Sequence, residues 1–167
     1  KNLVGGIKAY DLLRKQNPSL HPALVLVGKK GWKNEGIEQA LEESIFKDSI
    51  FTTGYIKDSV LVKTYRGAIA FIYPSLYEGF GLPVLEAMAC GTPVITSKNS
   101  SLEEIGQESV LYCEPTSVED ISCSMNNILS DSLMRENLTQ KGLKRASGFS
   151  WKKTAQKTAH LISSLLN

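Results

Sequence analysis

The stretch P-S-L-Y-E-G-F-G-L-P-V-L-E-A-M-A-C-G-T-P-V-I-T-S, from Pro74 to Ser97, decides the fold of this chain. Ahead of it, Ala68 to Tyr73 is a short apolar run with aromatic and β-branched members, which predicts a buried strand. Pro74, Ser75, Gly79 and Gly81 predict a loop, whose two glycines leave backbone N–H groups open to close approach because no Cβ stands before them. Pro83 suits the first position of a helix, where a missing N–H costs nothing. Gly91 and Pro93 close that helix, so the spacing predicts helix over about Leu82 to Cys90.

A strand, a glycine loop and a helix start in succession make an anion site, where free N–H groups and the positive end of the helix dipole converge. Two carboxylates frame it: Glu78 in the loop, and Glu86 about one turn into the helix with its side chain tilted back toward the start. An ionised carboxylate does not suit a phosphate, but it accepts hydrogen bonds from hydroxyls. A ligand that carries both phosphate and polyol, such as a nucleotide sugar, satisfies loop and carboxylates together. A lone glutamate would read as part of an ordinary βα unit; the whole string is far more specific.

Outward from this stretch, the chain alternates strand and helix patterns. Leu3, Ile7, Tyr10 and Leu13 recur at helical spacing until Asn17-Pro18 stops the run. Ala23 to Val27 predicts a strand buried on both faces that ends at Gly28, followed by the loop Gly28-Lys29-Lys30-Gly31 and a helix over Trp32 to Ile45. Ser49 to Thr53 predicts a strand giving way to Gly54-Tyr55-Ile56, then a helix capped by Asp58 or Ser59. Val94 to Thr96 predicts a buried strand, Ser101-x-x-Glu104 a capping box, and Val110 to Cys113 a last strand. Helices alone follow, over Val118 to Leu129, Ser132 to Ala146 with Asp131 as N-cap, and Trp151 to Leu166. The expected fold class is α/β: a Rossmann-like parallel sheet flanked by helices, ligand-binding at the strand C-termini, with a helical C-terminus, in one domain over residues 1–167.

Composition narrows the function classes. The 167 residues are 42% hydrophobic and 22% charged, with a net charge of +2, which gives no whole-domain basic field and argues against nucleic acid as a partner. No run is long enough to span a bilayer. Cys90, Cys113 and Cys123 are widely spaced among apolar or small residues and read as reduced core thiols, in keeping with a cytoplasmic location. No C-x-x-C exists, and His21 and His160 lack ligand-like neighbours, so no metal site is expected. Lys141, Lys144, Arg145, Lys152, Lys153 and Lys157 gather positive charge near the end; solvated helix faces explain it more cheaply than anionic lipid, because the apolar positions of the last helix are expected to pack against the rest of the domain.

Glu78 and Glu86, with seven residues between them in the setting E-G-F-G-L-P-V-L-E-A-M-A-C-G-T-P-V-I-T-S, resemble the E-x7-E signature of the family 4 retaining glycosyltransferases, which have the GT-B fold. The resemblance runs from K-N-L at Lys1 to F-S-W at Phe149 to Trp151. It implies the C-terminal, donor-binding half of a GT-B enzyme, with an acceptor-binding domain and a central first strand lying upstream, so that this half alone would bind donor weakly and turn over little.

Residue by residue, the resemblance implies that Glu78 positions the sugar hydroxyls at the catalytic centre and that Glu86 binds the ribose. Backbone groups around Gly79, Phe80, Gly81 and Leu82 would cradle the diphosphate, with Lys1 beside them. By the same resemblance Gly28 would lie near the donor nucleotide, and Tyr55 and Ile56 would line the base pocket. The implied reaction is hexose transfer from a nucleoside diphosphate sugar, without a metal cofactor, to a glycan or lipid-linked acceptor hydroxyl held by the upstream domain. Because many members of the family work on lipid-linked acceptors, the resemblance keeps peripheral contact with a membrane surface open as the less favoured account of the basic C-terminal charge. The alternative is a nucleotide-sugar-binding module without chemistry of its own. A dinucleotide-dependent oxidoreductase is set aside, because Gly79-x-Gly81 continues to Val84 where G-x-G-x-x-G needs its third glycine.

Overall fold

The computed structural model describes residues 1–29 and 35–165. Its elements in chain order are α1 (Leu3–Gln16), β1 (Leu24–Val27), α2 (Glu35–Glu43), β2 (Ile50–Gly54), α3 (Asp58–Gly67), β3 (Phe71–Tyr73), α4 (Leu82–Ala89), β4 (Val94–Ser97), α5 (Ser100–Gly106), β5 (Leu111–Cys113), α6 (Val118–Ser130), α7 (Ser132–Ala146) and α8 (Trp151–Leu165). The strands form two parallel sheets, β1-β2 and β3-β4-β5, and among the described residues no ladder joins them. Lys30 and Gly31 of the expected loop, Trp32 to Asn34 of the second expected helix, and Leu166 lie outside the described residues.

The three-stranded sheet is covered on both faces. Successive residues of β4 point to opposite sides, so Val94 joins a core with Tyr65, Val84, Met88 and Leu102, while Ile95 joins one with Ala9, Leu13, Ile121, Met125 and Ile128. Helices α1 and α6 pack together over the second core, and α4 packs on α7 over the first. Each fully buried Ile or Leu contributes about 1.5–3 kcal/mol relative to exposure, and this double cover is why β4 is buried along its whole length.

The two-stranded sheet departs from expectation. β1 is not buried on both faces: Leu24 and Leu26 are half-buried, whereas Val25, Val27 and Phe51 of β2 are exposed. Alternate residues face opposite ways, and one face has no cover among the described residues. The last helix departs as well. None of the described residues of α8 is buried, and Trp151 and Leu165 are each 77% exposed, so its apolar positions do not pack against the domain in the way the sequence suggested. The core closes at α7 and Phe149, leaving α8 beyond it.

Local caps also differ in detail. Lys57, not Asp58 or Ser59, stands at the N-cap of α3, and no side chain caps it. Asn99 stands at the N-cap of α5, and the Ser101 hydroxyl is turned to Glu78 instead of closing a capping box. Asp131 caps α7 as expected, accepting from Met134 N at 2.8 Å.

Candidate functional site

Strand β3 ends at Tyr73, whose carbonyl is held by Thr96 Oγ1 at 2.9 Å from the neighbouring strand. The chain then turns so that the Tyr73 hydroxyl donates to Glu78 Oε1 at 2.6 Å and the Ser75 hydroxyl donates to the same oxygen at 2.7 Å. Ser75 is fully buried and Tyr73 nearly so. The Glu78 backbone is held from the other side: its N–H donates to Ser100 Oγ at 3.2 Å, and its carbonyl accepts from Ser101 Oγ at 2.9 Å. Asn99 Nδ2 donates to the carbonyls of Ser75 and Leu76 at 3.1 and 3.0 Å.

Partial burial pulls the Glu78 carboxyl upward, but the hydrogen bonds from Tyr73 and Ser75, helped by the charge of Lys1, outweigh it and hold the group below the usual carboxylate range. Glu78 is therefore an anion and an acceptor at neutral pH. Burial first, then the hydrogen bond to Glu78 and its charge, push the Tyr73 phenol well above the ordinary tyrosine range.

Glu86 is exposed on α4 and accepts from the Tyr65 hydroxyl at 3.3 Å. Tyr65 is anchored by its carbonyl, which accepts from Thr92 Oγ1 at 2.7 Å. Its ring meets Phe71 edge-on at 5.3 Å, and Phe71 stacks on Tyr73 at 5.6 Å. One aromatic row thus supports both carboxylates, each through a phenol.

Between them lies the start of α4. Gly81 is its N-cap with φ of 106°, a left-handed conformation that favours glycine. Leu82 takes the first helical position and Pro83 the second, one place later than the sequence suggested. The N–H groups of Gly79, Phe80, Gly81 and Leu82 have no acceptor among the described residues. Nothing lies within 4 Å of a Cβ built on Gly79, whereas one on Gly81 meets Leu102. The exposed cradle is therefore at Gly79; Gly81 shapes the turn. Phe80 sits edge-on to Phe149 at 6.3 Å, and the Arg145 guanidinium lies over the Phe149 ring at 4.7 Å from its centroid.

Lys1 joins this cluster, its Nζ 5.6 Å from the Tyr73 ring centroid. It is placed there because Asn2 caps α1 through Gly5 N and donates to Pro115 O at 2.6 Å beyond β5. Gly28, Tyr55 and Ile56 stand apart, at the C-terminal end of the β1-β2 sheet: Gly28 N donates to Gly54 O at 3.1 Å, and Lys29 Nζ lies 5.2 Å from the centroid of the exposed Tyr55 ring. A shallow concavity of about 280 Å³, lined by Lys98, Asn99, Tyr112, Cys113 and Glu114 among others, takes in none of the residues singled out from sequence as donor-binding.

Sequence reasoning missed Tyr65, Tyr73, Ser75 and the Asn99-Ser100-Ser101 run as partners of the two glutamates. The signals were present as a tyrosine closing a strand and a polar loop after β4, but which acceptor each would meet depends on the fold.

The profile of the family "Glycosyl transferases group 1" matches residues 1–145. The chain is 39% identical over 158 residues to O-antigen chain mannosyltransferase B of Escherichia coli, covering 95% of this chain and 41% of that protein. It is 36% identical over 160 residues to the serotype-specific mannosyltransferase WbdA of Escherichia coli, covering 93% of this chain and 19% of that one. Among solved structures, sucrose-phosphate synthase from Thermosynechococcus elongatus superposes with a TM-score of 0.81 at 30% identity, over 96% of this chain and 42% of that one. The chain thus spans less than half the length of each of these proteins.

Proposed function

The chain belongs to the group 1 glycosyl transferases, and on that premise we propose that it is the donor-binding half of a retaining enzyme that moves a hexose from a nucleoside diphosphate sugar to a glycan or lipid-linked hydroxyl. The observation that carries the reading is the ionised Glu78, saturated on Oε1 by Tyr73 and Ser75, beside the open N–H groups of the α4 start.

The difficult event is departure of the nucleoside diphosphate, which requires stabilising negative charge on its phosphate oxygens. The N–H groups from Gly79 to Leu82, the α4 dipole behind them and Lys1 supply that stabilisation. Glu78 accepts from sugar hydroxyls and orients the ring; it is not assigned as a covalent nucleophile. Glu86 accepts from the ribose hydroxyls. Gly28, Tyr55 and Ile56 meet the base end of the donor, with the ligand spanning the two sheets. The relatives named as mannosyltransferases favour mannose as the hexose. The lysines of α8, with no acidic residue among 151–165, support peripheral contact at the cytoplasmic membrane face.

The test is transfer by the full-length enzyme from uridine, guanosine and adenosine diphosphate mannose to a mannosyl acceptor, with the anomeric configuration of the product read by NMR. Retained configuration with one of these donors is expected. Inversion, or turnover of none of them, would overturn the reading.

A further inference from the structure

A carboxylate offers two oxygens, and at Glu78 the described residues donate to one of them. Tyr73 and Ser75 both donate to Oε1, at 2.6 and 2.7 Å, while Oε2 has no donor among the described residues. These donors are not mobile surface groups. Ser75 is buried at the start of the loop, and the Tyr73 ring is stacked on Phe71, which is itself wedged against Tyr65. The backbone of Glu78 is pinned at both its N–H and its carbonyl by Ser100 and Ser101, so the side chain pivots about a fixed base.

We propose that Tyr73, assisted by Ser75, is a positioning residue that locks the plane of the Glu78 carboxylate so that Oε2 alone is presented to a hydroxyl of the donor sugar. This rests on the donor-binding reading above and deepens it. Two consequences follow from elementary chemistry. A single presented oxygen accepts from a hydroxyl at one place, which makes the carboxylate a reader of hydroxyl position on the hexose. Two strong donors on Oε1 also withdraw electron density from the group, which lowers its basicity and its power as a nucleophile and suits it to accepting a hydrogen bond.

The test compares Tyr73→Phe and Ser75→Ala with Tyr65→Phe and the parent in the full-length enzyme. Calorimetry measures affinity for the mannose nucleotide that the parent turns over and for the corresponding nucleoside diphosphate, which has no sugar to meet Glu78. Tyr73→Phe is expected to weaken the nucleotide sugar about tenfold, the scale of one hydrogen bond to a charged group. The nucleoside diphosphate should stay within about twofold. Ser75→Ala should behave alike, while Tyr65→Phe, which touches Glu86, should weaken both ligands. Unchanged nucleotide-sugar affinity in both Glu78-side variants, or equal loss of both ligands, would overturn the proposal.

A second readout does not depend on the donor. Titration of the Glu78 carboxyl carbon by NMR should show its pKa rising in Tyr73→Phe, because a donor that favours the anion has gone. If the parent bound no nucleotide sugar, the functional reading would fall, and this titration would still decide the lock: a raised value supports it and an unmoved one overturns it.

Discussion

A Cβ built on Gly81 would stand 2.8 Å from Leu102 Cδ2, so the first turn of α4 seats directly against α5. Leu102 is fully buried, and Gly81 adds a left-handed φ of 106° that other residues adopt at a cost. Gly81→Val therefore damages packing before it can obstruct a diphosphate. Urea denaturation should show a loss of about 2 kcal/mol or more, with donor binding lost in consequence. Gly79→Ala is the informative contrast, because its Cβ meets nothing within 4 Å. Stability should hold within about 0.5 kcal/mol while affinity for the nucleoside diphosphate falls; equal affinity would place the phosphates elsewhere.

Glu86→Ala should leave the fold intact, since the side chain is exposed and its hydrogen-bond donor, Tyr65, keeps its carbonyl anchor to Thr92. Donor affinity should drop about tenfold as the ribose hydroxyls lose their acceptor. Calorimetry with the full-length enzyme checks this, and an unchanged dissociation constant contradicts the ribose assignment.

Glu78 makes stability depend on pH in a defined direction. Its folded pKa is depressed, so the unfolded chain binds the proton more readily and stability rises with pH. The contribution is complete above the unfolded value of about 4.3 and disappears as pH falls through the folded value. The stability difference between the parent and Glu78→Gln should shrink as pH is lowered from about 5 through that window. Solvent screening of a partly exposed group keeps the whole effect under about 1 kcal/mol. A difference that grew on acidification would contradict the hydrogen-bond assignment.

The three thiols should separate by reactivity. All are free, but Cys113 is buried and Cys123 exposed, which corrects the reading of all three as core residues. Burial, reinforced by Asp120 and Glu114, pushes the Cys113 thiol up to about 12. Under native conditions a disulfide reagent should label Cys123 first, and Cys113 only after unfolding. Rapid native labelling of Cys113 would show that the α6 side of the sheet opens.

Residues close together in the chain made much of the fold legible. Helix α7 runs over Ser132–Ala146 as its periodicity and the Asp131 cap require, and α4 stops where Gly91 adopts a positive φ. The uncovered face of β1 and the exposed surface of α8 were not legible, because an apolar pattern states what a segment can bury and not whether a neighbour arrives to bury it.

The same division holds at the site. Sequence alone determined the strand, glycine turn and helix start, the spacing of Glu78 and Glu86, and the family, because these follow from local backbone preference and from a motif contained in one stretch. The tertiary structure decided that Tyr73 and Ser75 meet one oxygen of Glu78, that Ser100 and Ser101 fasten its backbone, that Lys1 lies over Tyr73, and that Leu102 fills the space before Gly81. Hydrogen bonds and close contacts depend on the direction and distance of atoms brought together from separate elements, and those are fixed only when the two cores pack on either side of β4.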